Sequence, residues 1–190
     1  MAASRTLFST ERRAWTAVAL YTAVLYATLT IAFDLYVSVY DRVGRATVSW
    51  WMNFGLGVAG LAVAVLAVRL YRPRLSGYAV LAAAALVVAF CLETLAVPAK
   101  RFHFAQYGPL ALLVFDALRF RFQGRDLYIW SLWVVFLIGL GDELLQAALP
   151  TRHFGLVDLA VNVTAGAIVL AMIGWVAGDE NYPVPEQRRR

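Results

Sequence analysis

Charge, cysteine and histidine are all scarce in this chain: 15% of its 190 residues are charged, one is cysteine and two are histidine. The lone Cys91 cannot close an internal disulfide and has no second thiolate for a metal site, so it reads as a packing residue. Two histidines and scattered carboxylates show no dedicated ligand spacing, and neither a metal nor another cofactor is expected. There is no Gly-Lys-Ser/Thr phosphate loop and no Gly-x-Ser-x-Gly elbow, which removes support for ATP-driven transport and for that class of hydrolase. Tandem repeats and low-complexity linkers are also missing.

What remains is apolar. The chain is 62% hydrophobic with mean hydropathy +0.67, more than one soluble core of this size could hide. A bilayer supplies the missing solvent, and a spanning helix takes about 17 to 25 mostly apolar residues. Windows at 14–33, 50–68, 78–99, 102–118, 127–149 and 156–177 meet that length. The expected architecture is therefore all-α: one membrane domain over 1–190, a polytopic bundle of six transmembrane helices joined by short loops. The first window resembles a signal peptide, but it is long and ends in bulky Phe-Asp-Leu-Tyr, so an uncleaved span is expected. Pro109 in the fourth window frees a backbone group, which favours a kinked helix packed inside the bundle. Trp15, Tyr36, Trp50, Trp51, Tyr71, Tyr128, Trp130 and Trp175 gather near window edges, where amphipathic rings prefer to lie.

The formal charge of +5 does not point to nucleic acid, because the arginines sit in loops and tails. Twelve of the 17 basic residues fall before the first window, after the second and fourth, and in the tail: Arg5, Arg12, Arg13, Arg69, Arg72, Arg74, Arg119, Arg121, Arg125, Arg188, Arg189 and Arg190. The other five are Arg42, Arg45, Lys100, Arg101 and Arg152. The excess of positive charge assigns the first group, and with it both termini, to the cytoplasm. The 179–190 tail reads as an unstructured cytoplasmic end.

With this topology the polar residues of the windows collect near the outer face. Glu93 and Glu143 fall about 10 Å below the outer boundary at the helical rise. His103, Gln106 and Tyr107 lie high in the fourth span, Asp158 and Asn162 high in the sixth, and Asn53 joins from the second. The loops at 98–101 and 150–155 add Lys100, Arg101, Arg152 and His153 to the same rim. Helical spacing pairs His103 with Tyr107, Glu143 with Gln146, Asp142 with Gln146, and Asp158 with Asn162, the last pair continued by Gly166. A helix bearing Asn162 and Gly166 can approach its neighbour closely. Gly139 and Gly141 relieve crowding beside Glu143 or permit bending there. Asp116, at the opposite end, is expected near Arg119.

Each such group needs a partner or a water-filled cavity in hydrocarbon. One reading is helix adhesion, with Arg101 or Arg152 neutralising Glu143 or Asp158, and Asp158 alternatively capping its own helix. The other is a site for a ligand, a proton or a headgroup. The ligand-binding candidates are Arg101, His103, Tyr107, Glu143, Gln146, Arg152, Asp158 and Asn162, with Asn53, Glu93 and Asp142 secondary; no catalytic residue is assigned.

Three stretches, RFHFAQYGPL at 101–110, GDELLQ at 141–146 and PTRHFGLVDLAVNVTAG at 150–166, resemble the VanZ-like family of bacterial membrane proteins. His103, Tyr107, Glu143, Gln146, Pro150, Arg152, Phe154, Asp158, Asn162 and Gly166 carry the resemblance, which covers roughly 93–175. Ala167 and Gly174 match the family's close-packing stripe only in part. The family takes its name from a protein associated with teicoplanin resistance, and that phenotype is not carried over. The resemblance implies a multi-pass protein of a prokaryotic cytoplasmic membrane, acting on or binding an envelope component from the outer face.

The favoured expectation is binding of a polar headgroup or envelope intermediate, with Arg101 and Arg152 meeting an anionic group and Glu143, Asp158 and Asn162 shaping a deeper pocket. Membrane lipids and a lipid-linked or glycan envelope component are the expected partners. One alternative is an integral-membrane enzyme acting on a lipid-linked intermediate, with His103 exchanging a proton beside Glu143 or Asp158. Another is a proton-coupled small-solute carrier, against which no inverted repeat or pair of broken helices is evident.

Overall fold

A computed structural model describes residues 7–150 and 152–178. Among them every regular element is helical. In order these are α1 (Glu11–Ala27), α2 (Leu29–Tyr71), α3 (Leu75–Thr94), a four-residue helical turn α4 (Pro98–Arg101), α5 (His103–Leu118), α6 (Gly124–Ala147) and α7 (Leu156–Met172). A π-helical turn, Ile173–Ala177, prolongs α7.

Local chemistry sets the boundaries. The Thr10 hydroxyl accepts the Arg13 N–H to cap α1, a standard way to satisfy a free first-turn donor. At Thr28 the hydroxyl donates to Val24 O at 2.8 Å, and the chain breaks before α2 begins. A left-handed residue, Arg72, closes α2, and Pro73 cannot continue it. Inside α2, Gly44 at φ 80° interrupts helical geometry, a conformation that glycine adopts without steric cost.

Four helices are long and apolar enough to cross a membrane: Leu29–Tyr71, Leu75–Thr94, Gly124–Ala147 and Leu156–Ala177. The expected six-span bundle is corrected accordingly. The first window splits at Thr28 between α1 and α2, and the second is the latter part of the same 43-residue α2. The fourth window is α5, only 16 residues; at 1.5 Å per residue it is about 24 Å long, and the 17-residue α1 about 26 Å, both short of a hydrocarbon core of about 30 Å. The calls placing both termini in the cytoplasm, and the reading of the tail, fall on residues 1–6 and 179–190, outside the described residues.

The short helix α5 is the centre of the packing. Tyr107, Leu110, Ala111, Val114 and Phe115 are buried against Ala14, Val18 and Leu25 of α1, Leu127 and Val135 of α6, and Ala165 and Leu170 of α7. The inward packing expected from Pro109 is found, a proline being tolerated inside a protein-packed helix. The Tyr21 hydroxyl donates to Gln106 O at 2.8 Å, next to the Ala105 carbonyl that Pro109 leaves without a helical donor.

By contrast α2 and α3 turn large apolar side chains outward, among them Trp50, Phe54, Leu61, Leu66, Leu86 and Phe90. Exposed apolar surface on membrane-length helices is surface for lipid. The chain is a multi-pass membrane protein. α3 is held to the bundle where Gly77 meets the π-helical turn: a Cβ there would lie 2.7 Å from Trp175 O.

Candidate functional site

Short connections put the end of α6, the start of α7, α4 and the start of α5 side by side. Pro98 opens α4, and its single turn delivers Lys100 and Arg101 into the bundle. The chain's only lysine, Lys100, places its ammonium 2.9 Å from the Asp158 carboxylate. The guanidinium of Arg101 is buried and donates to Asn53 Oδ1 and to Leu95 O, both at 2.9 Å. It therefore ties α2 to the α3–α4 connection.

A second set of contacts is centred on α6. The Tyr107 hydroxyl donates to Asp142 Oδ2 at 3.0 Å, and the His103 ring lies 6.0 Å from that of Tyr107. Glu143 accepts at both oxygens, from Gln146 Nε2 at 3.3 Å and from the Gly155 N–H at 2.8 Å. Arg152 donates to Gln146 Oε1 and stacks its guanidinium 4.4 Å over the Phe33 ring. Tyr107, Asp142, Glu143, Gln146 and Asn162 are all fully buried, drawn from α5, α6 and α7.

The glycines explain how these helices come so close. Gly139 lies against the Asn162 side chain, and a Cβ at Gly166 would come within 2.9 Å of Val135 Cγ1. The close approach expected of the Asn162–Gly166 stripe is thus found on α6. Gly141 makes room for Tyr26, whose hydroxyl donates to Ile138 O at 2.6 Å; of its two expected roles, the steric one is seen.

Of the sequence candidates, His103, Tyr107, Asp142, Glu143, Gln146, Arg152, Asp158 and Asn162 converge, whereas Asn53 pairs with Arg101. Glu93 does not, being exposed in the last turn of α3. Arg101 faces inward and is committed to Asn53 and Leu95, not to the rim. The cations at the mouth are Lys100, its side chain 30% exposed, and the partly exposed Arg152. Asp158 pairs with Lys100, and α7 has no side-chain cap at its start. His153 is exposed.

Sequence reasoning missed two things. Lys100 was placed at the rim without its carboxylate partner, and the Gly155 N–H was not counted as a ligand of Glu143. Neither carries a local signal, since both depend on how two loops fold over the helix ends.

Some polar groups stay unsatisfied. His103 Nδ1, Asp142 Oδ1 and both side-chain polar atoms of Asn162 are buried and find no hydrogen-bond partner among the described residues. An orphaned buried polar group costs about 1–3 kcal/mol, so these atoms are open to a further partner. Chemically, the arrangement presents two partly exposed cations over a buried layer of carboxylates, an imidazole and amides. No protein-family model matches the chain, and no curated protein or solved structure matches it either.

Proposed function

We propose that this membrane protein is a VanZ-like envelope protein that binds the anionic headgroup of a lipid or lipid-linked envelope intermediate where α4, α5, α6 and α7 meet. The observation that carries this reading is the pair of partly exposed cations, Lys100 and Arg152, set over buried acceptors at one end of the bundle. Phe102, Phe154, Leu156 and Val157 expose apolar side chains beside them. Basic groups next to apolar surface suit a ligand with a charged head and an acyl tail. The resemblance of the ordered polar residues to the VanZ-like pattern supports the same reading. The VanZ-like resemblance supports a headgroup site that opens to the outer face of a prokaryotic cytoplasmic membrane.

Native mass spectrometry of the protein released from lipid nanodiscs tests this. The wild type should carry an anionic-lipid adduct that Arg152→Ala and the double variant Lys100→Ala/Arg152→Ala lose, with helical circular dichroism unchanged. Retention of the adduct, or loss that only follows loss of fold, would reassign the cluster to helix adhesion.

A further inference from the structure

We propose that His103, Glu143 and Asp158 form a binding site for a divalent transition-metal ion of the zinc type. One ligand atom from each residue lies within 4.8 Å of the other two. The three come from three helices, α5, α6 and α7, so the fold and not a local motif assembles them. Bonds of about 2.0–2.2 Å to zinc put neighbouring donors roughly 3.4 Å apart in a tetrahedron. The present spacing, up to 4.8 Å, is looser than that, so the ligand atoms must close in on the ion.

Burial separates this group from an ordinary acidic surface cluster. His103 is 8% exposed and Glu143 fully buried, so their polar atoms cannot fall back on bulk water. His103 Nδ1 has no hydrogen-bond partner among the described residues, so the imidazole that shares this cluster still has a buried polar atom to satisfy. Asn162, one helical turn after Asp158, lies beside the imidazole; its amide oxygen is a ready fourth ligand or an orienting group.

Charge and donor type select the ion. Two carboxylates and one divalent cation sum to zero, the arrangement that burial tolerates best. One imidazole with carboxylates suits zinc and its first-row neighbours, whereas magnesium and calcium favour oxygen alone. The hydrogen bonds from Gly155 N and Gln146 Nε2 fix the Glu143 carboxylate and leave each oxygen a lone pair to give.

Lys100 holds the place of the cation on Asp158. Its ammonium sits 2.9 Å from the carboxylate and would be repelled by an arriving metal. Being partly exposed, it can swing toward the rim. Metal entry and Lys100 release are therefore coupled, and removing the lysine should tighten binding. This inference does not depend on the headgroup reading, because neither Lys100 nor Arg152 is a ligand.

Full-length detergent-solubilised protein, stripped with a chelator and titrated with zinc chloride alone against a chromophoric competitor, tests the site. The expected result is one zinc per chain, with cobalt giving the visible bands of a tetrahedral site. His103→Gln and Asp158→Asn should weaken binding by about 100-fold, at the upper end of what outer partners alone cost. Lys100→Met, which keeps all three ligands, should strengthen it by about fivefold, the upper end for a partly exposed charge contact. His153→Gln removes the other histidine and should change nothing. Absence of stoichiometric zinc in the wild type would overturn the proposal. So would loss of binding in His153→Gln with retention in His103→Gln, or weaker binding in Lys100→Met.

Discussion

Asp116 is completely buried at the end of α5 opposite the polar cluster, and it organises the start of the described chain. Its two oxygens accept the backbone N–H groups of Leu7 and Phe8, each at 3.2 Å, and its Oδ1 meets Arg119 Nε at 2.8 Å. The same guanidinium donates to Phe8 O at 2.6 Å. The spacing of Asp116 and Arg119 makes their pairing legible in the sequence. That they also pin a strand of chain more than one hundred residues away is not, because backbone donors carry no sequence mark. Removing one member of a buried pair strands the other as an uncompensated charge. Arg119→Leu should therefore destabilise the protein by about 3–5 kcal/mol, measured by denaturant unfolding in detergent micelles. Asp116→Asn placed on top of it should recover part of that loss. Arg101 teaches the converse: a rim arginine by sequence is turned inward by the single turn of α4, a feature too short for any periodic pattern to reveal.

At the level of elements, apolar windows located α3, α6 and α7 well. The window at 156–177 coincides with the apolar helix Leu156–Ala177. They failed at α1, α2 and α5 because hydropathy measures transfer out of water and does not distinguish lipid from protein as the destination. The side chains of α5 are apolar because they form the protein core. The break at Thr28 is a single residue between two apolar helices, which leaves the hydropathy profile smooth. Packing of α6 on α7 was readable from the Asn162–Gly166 stripe, and it allows a direct test. Gly166→Leu drives a side chain into Val135, whose Cγ1 is 2.9 Å from a Cβ at that position, and should cost about 1–3 kcal/mol. Adding Val135→Ala should return a measurable part of that stability in the same unfolding assay; independent, additive losses would mean that the two helices do not touch there.

Across the whole molecule, polarity is unevenly spread. Lipid-facing apolar surface covers α2 and α3, the Asp116–Arg119 pair closes one end of α5, and the acid, amide and imidazole groups fill the other. Most members of that second group were legible, since a carboxylate in an apolar window is conspicuous. Their mutual pairing was not, because it is decided by residues from separate helices and two loops. Whether they serve a headgroup, a metal ion or both, every functional reading requires them to share one small volume. Solid-state NMR on protein in lipid bilayers, with nitrogen-15 histidine and carbon-13 carboxyl labels, measures this directly. The chain has only two histidines, so His153→Gln leaves His103 as the single reporter. Ligand atoms within 4.8 Å of one another, plus a carbon–oxygen bond, predict dipolar contacts from the His103 ring to carboxyl carbons inside about 6 Å, reduced when Glu143→Gln or Asp158→Asn removes one. A His103 ring with no carboxyl carbon in that range would contradict the shared site.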